Sequence, residues 1–274
     1  MCKIGLVVTV MIFIGLLFIG TYFIWKAIIG DDICRRGTSP PPIYKCRTTV
    51  TIFGVNECSF KNICLDARHA KFIPESDDSP ENKTTTIDLG GGSGSRMQTL
   101  TADICAKFPT VINYRASFLG LTKINENAFN ECKKLEKLNL GYNYLEYLDP
   151  TIFIENFEIK YLYLYYNRLR EIDPGIFRNL LKLEKLHLEG NFLVSFQMKA
   201  LPVFVNLKSL FLNRNELKNL EIKRFYKKFP KLRYLSVCDN FLSDRLDVKI
   251  LIEYFSEKFI QTDLNFCLNE MEKN

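Results

Sequence analysis

Histidine and tryptophan are scarce in this 274-residue sequence, which contains two of the former and one of the latter. His69 and His187 leave few side chains for acid–base chemistry near neutral pH. No paired carboxylates and no nucleophile with an adjacent base stand out, and the glycine-rich stretch 90–95 lacks the Gly-Lys-Ser/Thr ending of a phosphate-binding loop. The sequence therefore predicts a protein that is not an enzyme and needs no cofactor.

A strong net charge is also missing. Lysine and arginine total 37 against 31 aspartates and glutamates, and a formal net charge of +6 is too small to indicate a nucleic-acid-binding protein. Hydrophobic residues make up 47% and charged residues 25%, which is ordinary for a chain that folds around a core. This balance excludes a wholly disordered chain and a collagen-like fibre.

Short Cys-x-x-Cys pairs are absent from the nine cysteines, which argues against a zinc site or any other bound metal. Setting aside Cys2 leaves an even number, as a disulfide framework requires: Cys34, Cys46, Cys58, Cys64, Cys105, Cys132, Cys238 and Cys267. Disulfides persist outside the cytosol, where the sequon at Asn82 would also be glycosylated. The cysteine usage therefore predicts an extracellular protein.

The N-terminus begins with an uncharged apolar run over residues 4–25, long enough for a helix to span a bilayer. The preceding Met-Cys-Lys is typical of the basic head of a signal peptide, but no cleavage site is obvious. Both a signal peptide and an uncleaved signal anchor remain open for residues 1–30. In either case we expect the rest of the chain to be secreted or held at the extracellular face of the plasma membrane, with no other membrane contact.

Leucine is concentrated between positions 101 and 250, which hold 26 of the 35 leucines. There the pattern Leu-x-x-Leu-x-Leu-x-x-Asn-x-Leu recurs in steps of 24, 24, 24 and 25, with copies that start at Leu135, Ile159, Leu183, Leu207 and Leu232. A degenerate copy starts at Val111 and has Leu119 where asparagine is expected. A second 24-residue register runs through Phe129, Phe153, Phe177, Leu201 and Phe225.

These motifs resemble extracellular leucine-rich-repeat proteins of the 24-residue type, and the N-terminal cysteine spacing resembles that of insect secreted members. The resemblance implies an α/β fold, a leucine-rich-repeat solenoid with a concave parallel sheet. Stacked repeats share one continuous core because each unit alone cannot bury its apolar face. In this family the repeat asparagines hydrogen-bond the backbone of adjacent turns; here they are Asn143, Asn167, Asn191, Asn215 and Asn240.

Four segments are predicted: the signal peptide or anchor (1–30), a cysteine-containing N-terminal cap (31–107), the repeats (108–245) and a helical C-terminal cap (246–274). Residues 84–89 are expected to form an early strand. Residues 246–260 carry apolar side chains at helical spacing and are expected to cover the last repeat. Cys105 and Cys132 flank the degenerate repeat and are predicted to pair, and Cys238 is a candidate partner of Cys267.

Tyrosine is unusually dense in the second and third repeats, since seven of the 13 tyrosines fall between positions 142 and 166. Tyrosine offers a large contact area and a hydrogen-bonding tip at low entropic cost, which suits binding surfaces. The predicted partner-binding residues are Tyr142, Tyr161, Tyr163, Tyr165, Tyr166, His187, Phe211 and Arg214. Alternatively, the rings only stack between strands and stabilise the sheet. The lysines at 137, 160, 185 and 208 are expected to form a solvated rim or, if they contribute to binding, to steer an acidic partner.

The predicted function is recognition of a protein partner through this concave aromatic face. The resemblance adds innate immunity or cell-surface recognition as the setting. Two alternatives stay open: a structural solenoid that self-associates, for instance as a homodimer, and a membrane-tethered adhesion or co-receptor subunit. No nucleic-acid partner is expected.

Overall fold

The computed structural model describes residues 43–50, 56–59, 64–65, 71–74, 84–89, 96–242, 245–258 and 260–264. All of them belong to one compact unit, Pro41–Asn274. The apolar run at 4–25, the sequon at Asn82 and Cys267 lie outside the described residues. Within the ranges that are described, no helix is both long and apolar enough to cross a bilayer.

In its described residues, the N-terminal part consists of short strands and a short helix. A hairpin is formed by antiparallel pairing of the first two strands, in which Thr48 lies opposite Cys58. The elements are β1 (Ile43–Val50), β2 (Asn56–Ser59), β3 (Cys64–Leu65), β4 (Lys71–Pro74), β5 (Thr86–Asp88), β6 (Arg96–Met97), β7 (Thr99–Leu100) and α1 (Asp103–Lys107).

Each repeat contributes one three-residue strand to the main sheet, because only the Leu-x-Leu portion alternates between core and solvent. The repeat elements are β8 (Asn113–Arg115), β9 (Lys123–Ile124), β10 (Lys137–Asn139), β11 (Tyr161–Tyr163), a 3₁₀ helix (Pro174–Phe177), β12 (Lys185–His187), β13 (Ser209–Phe211), α2 (Ile222–Lys228) and β14 (Tyr234–Ser236). They are followed by α3 (Arg245–Glu257) and β15 (Gln261–Thr262).

One sheet runs through the repeats in the order β15-β14-β13-β12-β11-β10-β8-β5-β2-β1-β4. Every pairing from β15 to β2 is parallel, and equivalent repeat residues lie side by side, as Leu138 does with Leu162. The extra residue of the last step is absorbed without loss of register, since Leu210 pairs with Leu235. The predicted leucine-rich-repeat fold with a parallel sheet is therefore confirmed.

The core is formed by the leucines of the motif and by the second register of large side chains, all buried: Phe129, Phe153, Phe177, Leu201 and Phe225. In the first repeat a tyrosine, Tyr114, replaces the inward leucine of the strand and packs edge-on against Phe129 with ring centres 5.7 Å apart. A disulfide joins Cys105 to Cys132 across this repeat.

The predicted asparagine ladder is present. Asn167 shows the pattern: its Oδ1 accepts from the backbone N–H of Leu145, and its Nδ2 donates to the carbonyls of Leu140 and Leu164. Burying an amide side chain lowers stability unless it is hydrogen-bonded, and here each amide links two consecutive turns by hydrogen bonds. The role of these asparagines is therefore structural.

Elements beyond the repeats contact both ends of the sheet. At the C-terminal end, Phe255 of α3 is fully buried and its ring lies 5.3 Å from that of Phe225. At the N-terminal end, β5 pairs with β8. The predicted helix and early strand are thus present, whereas the domain boundaries assigned to the caps remain predictions.

Candidate protein-binding face

Three rows of side chains run across the repeats on the face of the sheet that points away from the core. The first row ends the strands: Arg115, Asn139, Tyr163, His187, Phe211 and Ser236. The second row follows two residues later: Ser117, Gly141, Tyr165, Glu189, Asn213 and Cys238. The third row is next in sequence: Phe118, Tyr142, Tyr166, Gly190, Arg214 and Asp239. Because the strands are in register, each row places neighbouring side chains about 4.8 Å apart.

Three rings of the first row form a continuous stack, which Tyr234 at the start of β14 extends. Ring centres lie 4.8 Å apart between Tyr163 and His187, 3.9 Å between His187 and Phe211, and 5.0 Å between Phe211 and Tyr234. Burial, followed by the proximity of Tyr161 and Tyr165, raises the pKa of Tyr163, so its hydroxyl stays protonated. These rings are half-buried. They therefore stabilise the sheet by stacking, as the alternative interpretation expected, while part of each ring stays accessible.

The third row has an unusual backbone. Each of its residues has a positive φ, including the aromatic ones, with values of 60° at Phe118, 55° at Tyr142 and 50° at Tyr166. A bulky residue in this region costs of the order of 1–3 kcal/mol. The rings of Phe118 and Tyr142 stack at 4.3 Å, and those of Tyr142 and Tyr166 at 4.8 Å. Phe118 is 55% exposed and Tyr142 is 42% exposed, so the most strained part of the face is also its most accessible.

Two glycines provide space for tyrosine rings. A Cβ atom on Gly141 would lie 2.5 Å from the ring of Tyr165, and one on Gly190 would lie 2.5 Å from the ring of Tyr166. The hydroxyl of Tyr165 accepts a hydrogen bond from Asn139 Nδ2 at 3.3 Å. The absence of a side chain in one repeat therefore determines where a ring of a neighbouring repeat lies.

Arg214 is held from two sides. Its Nη1 donates to the hydroxyl of Tyr166 at 2.7 Å, past Gly190, and its Nε donates to Asp239 at 3.3 Å. The hydrogen bonds to Tyr166 and Asp239 raise the pKa of Arg214 above its ordinary value. The guanidinium group thus links three repeats and terminates the aromatic part of the third row.

His187 is also paired with a carboxylate. Its Nδ1 lies 2.8 Å from Oε1 of Glu189, and both side chains are largely buried. The other oxygen of Glu189 is buried and has no hydrogen-bond partner among the described residues. The pair fixes the ring plane of His187 within the first-row stack, which agrees with a packing role for this histidine.

All eight side chains predicted to bind a partner lie on this one face of the sheet. Seven belong to the three rows, and Tyr161 begins the strand that ends at Tyr163. The prediction did not include Phe118, Glu189 and Asp239, or the two glycines that seat the tyrosines. Aligning the repeats by their 24-residue step already places Phe118 in the same row as Tyr142 and Tyr166.

Other predicted sites give mixed outcomes. Cys238 is disulfide-bonded, but Cys267 lies outside the described residues, so their pairing remains a prediction, as does glycosylation at Asn82. In the part of the chain that the structure describes, no group of three or more histidine, cysteine or acidic side chains is arranged to hold a metal ion.

Comparison with known proteins supports the repeat assignment. A family model described as leucine rich repeat matches residues 117–169 and 157–217. No curated protein sequence matches the chain.

Among solved structures, a chain of the LRIM1/APL1C complex is 25% identical, with a TM-score of 0.61 over 73% of this chain and 35% of that one. A chain of the TLR13-ssRNA13 complex is 22% identical, with a TM-score of 0.52 over 57% of this chain and 22% of that one. The chain thus spans about a third or less of the length of these relatives, and the second likeness concerns the fold alone. Periodicity, sheet register, asparagine ladder and family match agree, and the chain therefore carries a leucine-rich-repeat solenoid.

Proposed function

We propose that this chain is an extracellular recognition module that binds a protein partner through its concave aromatic face, in innate-immune or cell-surface recognition. The observation that carries the proposal is the third row, in which three stacked rings, those of Phe118 and Tyr142 exposed and that of Tyr166 half-buried, occupy strained backbone positions. Repeat packing does not require these rings, because Gly190 occupies the same row position with φ of 67° and no strain.

Energetics favour a role for these rings outside the fold itself. Positive φ at Phe118, Tyr142 and Tyr166 costs stability. Stacking contributes only about 0.5–1.5 kcal/mol of stability per ring pair. Strained residues concentrate at functional sites, and large exposed aromatic surfaces mark interaction sites. The six repeat strands present a face about 24 Å across, which is wide enough for part of a protein interface.

The extracellular setting is supported by the Cys105–Cys132 disulfide, because such bonds are rare in the cytosol. The innate-immune or cell-surface setting rests on the family resemblance. The partly similar fold in the LRIM1/APL1C complex, which joins two proteins, is consistent with a partner that is itself a protein.

The proposal is tested by replacing Tyr142 and Tyr166 with glycine in the full chain. Glycine removes both rings and relieves the positive φ, so we expect the free energy of unfolding to change by less than about 1 kcal/mol. Proteins captured by the wild-type chain should bind the double variant at least about tenfold more weakly, as expected when hot-spot tyrosines are lost.

The matched control is Tyr147→Ala with Phe157→Ala, which removes two rings that are 57% and 50% exposed but lie outside the three rows. Capture should survive in this control. Equal capture by the wild type and the glycine variant, with both folded, would contradict the proposal. So would equal loss in the glycine variant and the control.

A further inference from the structure

Two of the four lysines at the edges of the strands are already neutralised. The Nζ atom of Lys160 lies 2.9 Å from a carboxylate oxygen of Glu136, and that of Lys208 lies 2.8 Å from one of Glu184. The hydrogen bond to the glutamate raises the pKa of each lysine. Glutamate and lysine alternate along the positions just before the strands, at 136, 160, 184 and 208. These two pairs therefore add no net charge to the face.

The acidic side chains of the second and third rows are engaged as well. Glu189 contacts His187 through Oε1, and Asp239 accepts from Arg214. In the repeats β8 to β14, each carboxylate at or beside the sheet face thus has a basic or imidazole partner. Among these groups the oxygen that lacks a hydrogen-bond partner, Oε2 of Glu189, is buried and is therefore not accessible to a basic ligand.

Lys137 and Lys185 differ from the other two lysines. Neither has a carboxylate within ion-pair distance among the described residues, and both occupy the first position of their strands, on either side of Tyr161. Two strand spacings place their backbones about 9.6 Å apart. The Nζ atom of Lys137 lies 5.6 Å from the ring centre of Tyr163, so the ammonium group is held beside the aromatic stack.

We propose that the sheet face accepts an acidic segment of a protein partner, with carboxylates about 10 Å apart that bind Lys137 and Lys185 across Tyr161. The inference rests on the proposed function and adds the chemistry of the partner. Charge complementarity is its basis, since the uncompensated charges at the strand starts are both positive. Such charges accelerate encounter with an acidic partner and disfavour a basic one.

A single-stranded nucleic acid is also a polyanion, but it fits this face less well. Nucleic-acid-binding surfaces line up many basic groups along the phosphate backbone. Here the two free lysines are separated by a tyrosine, and their basic neighbours are already paired. Binding of single-stranded RNA is therefore an alternative outcome of the experiment.

The experiment measures fluorescence anisotropy of a labelled ten-residue oligoglutamate peptide with the full chain at low salt. We expect Lys137→Gln with Lys185→Gln to weaken binding about fivefold, because two exposed ion pairs contribute about 0.5 kcal/mol each. The matched control is Lys133→Gln with Lys134→Gln. It removes the same charge from two exposed lysines in the turn before β10, and it should weaken binding less than about twofold.

Equal weakening in the two double variants would overturn the inference, because it would reflect net charge alone. A labelled ten-nucleotide single-stranded RNA that binds as tightly as the peptide, with the same dependence on Lys137 and Lys185, would also overturn it. The proposed function is judged separately by protein capture. If capture fails with the Tyr142 and Tyr166 glycine variant but survives with the Lys137 and Lys185 variant, the proposed function stands and the acidic partner is excluded.

Discussion

The first repeat and the regular repeats that follow it share one backbone path but are held together by different groups. β8 joins the sheet in the same register as every later strand, with Tyr114 opposite Leu138. In each regular repeat a ladder asparagine lies at the turn after the strand, whereas Leu119 occupies that position in the first repeat. The geometry of a repeat is therefore less demanding than its sequence motif suggests.

The hydrogen bonds show why leucine is tolerated there. In regular repeats the N–H after the turn, such as that of Leu145, donates to the side-chain oxygen of the next asparagine. The equivalent N–H in the preceding turn is that of Met97, and it donates to the backbone carbonyl of Leu119 at 2.7 Å. A side-chain amide is needed only where no backbone carbonyl accepts the hydrogen bond from that N–H.

The largest expected effect comes from breaking the ladder at its centre with Asn191→Leu. This change leaves the N–H of Leu169 without its partner. The carbonyls of Leu164 and Leu188 each lose one of two amide donors and keep the other, from Asn167 and Asn215 respectively. At about 1–3 kcal/mol for the unsatisfied N–H and about 0.5–1.5 kcal/mol for each of the two lost hydrogen bonds, the free energy of unfolding should fall by about 4 kcal/mol, measured by urea unfolding.

The control for this change is Asn240→Leu at the half-exposed end of the ladder, where water replaces the lost bonds. Its loss should be less than half as large. Equal losses at the two positions would show that burial does not determine the value of a ladder amide.

The second prediction concerns the disulfide that spans the first repeat. Replacing Cys105 and Cys132 with alanine opens a loop with a sequence separation of 27 residues, and it should lower the free energy of unfolding by about 3.5 kcal/mol. Hydrogen exchange should accelerate in β8 before it does in β12. A uniform acceleration across the repeats would show that the disulfide supports the whole stack.

The smallest effect is expected from Tyr114→Phe in the core of the first repeat. The Tyr114 hydroxyl is buried without a hydrogen-bond partner among the described residues, so its removal should leave stability at pH 7 unchanged or raise it by about 1 kcal/mol.

The pH dependence provides a second measurement for the same variant. Burial raises the pKa of Tyr114 above its ordinary value, so only the unfolded chain ionises this group near pH 10. Above that pH the wild type should lose stability that the phenylalanine variant keeps. Tyr166→Phe is the control, since it removes a hydroxyl that is hydrogen-bonded to Arg214 and should slightly destabilise the protein. A clear loss of stability in Tyr114→Phe would mean that the hydroxyl has a partner.

The sequence was sufficient for the fold because the repeat encodes it locally. Leu138 and Asn143 determine inward and turning positions by their spacing alone, and the 24-residue step fixes the sheet register. The aromatic face could also be located, since Tyr163 and Tyr165 alternate with core leucines.

The details of the face could not be predicted, because they depend on contacts between repeats. Nothing local shows that the ring of Tyr166 lies over Gly190, or that Arg214 reaches past that glycine to its hydroxyl. The different states of Lys137 and Lys160 follow from which glutamate lies beside each of them. Aligning the repeats would have placed Glu136 beside Lys160, but not the direction in which either side chain extends.

The row of positive φ angles has a consequence for how recognition could change over time. Phenylalanine, tyrosine, glycine, arginine and aspartate all occupy the same backbone conformation in this row. Side-chain identity is thus decoupled from chain geometry at the positions that face outward. A new specificity could be acquired by single substitutions along this row without any rebuilding of the repeats beneath it, except at Gly190, where a side chain would displace the ring of Tyr166.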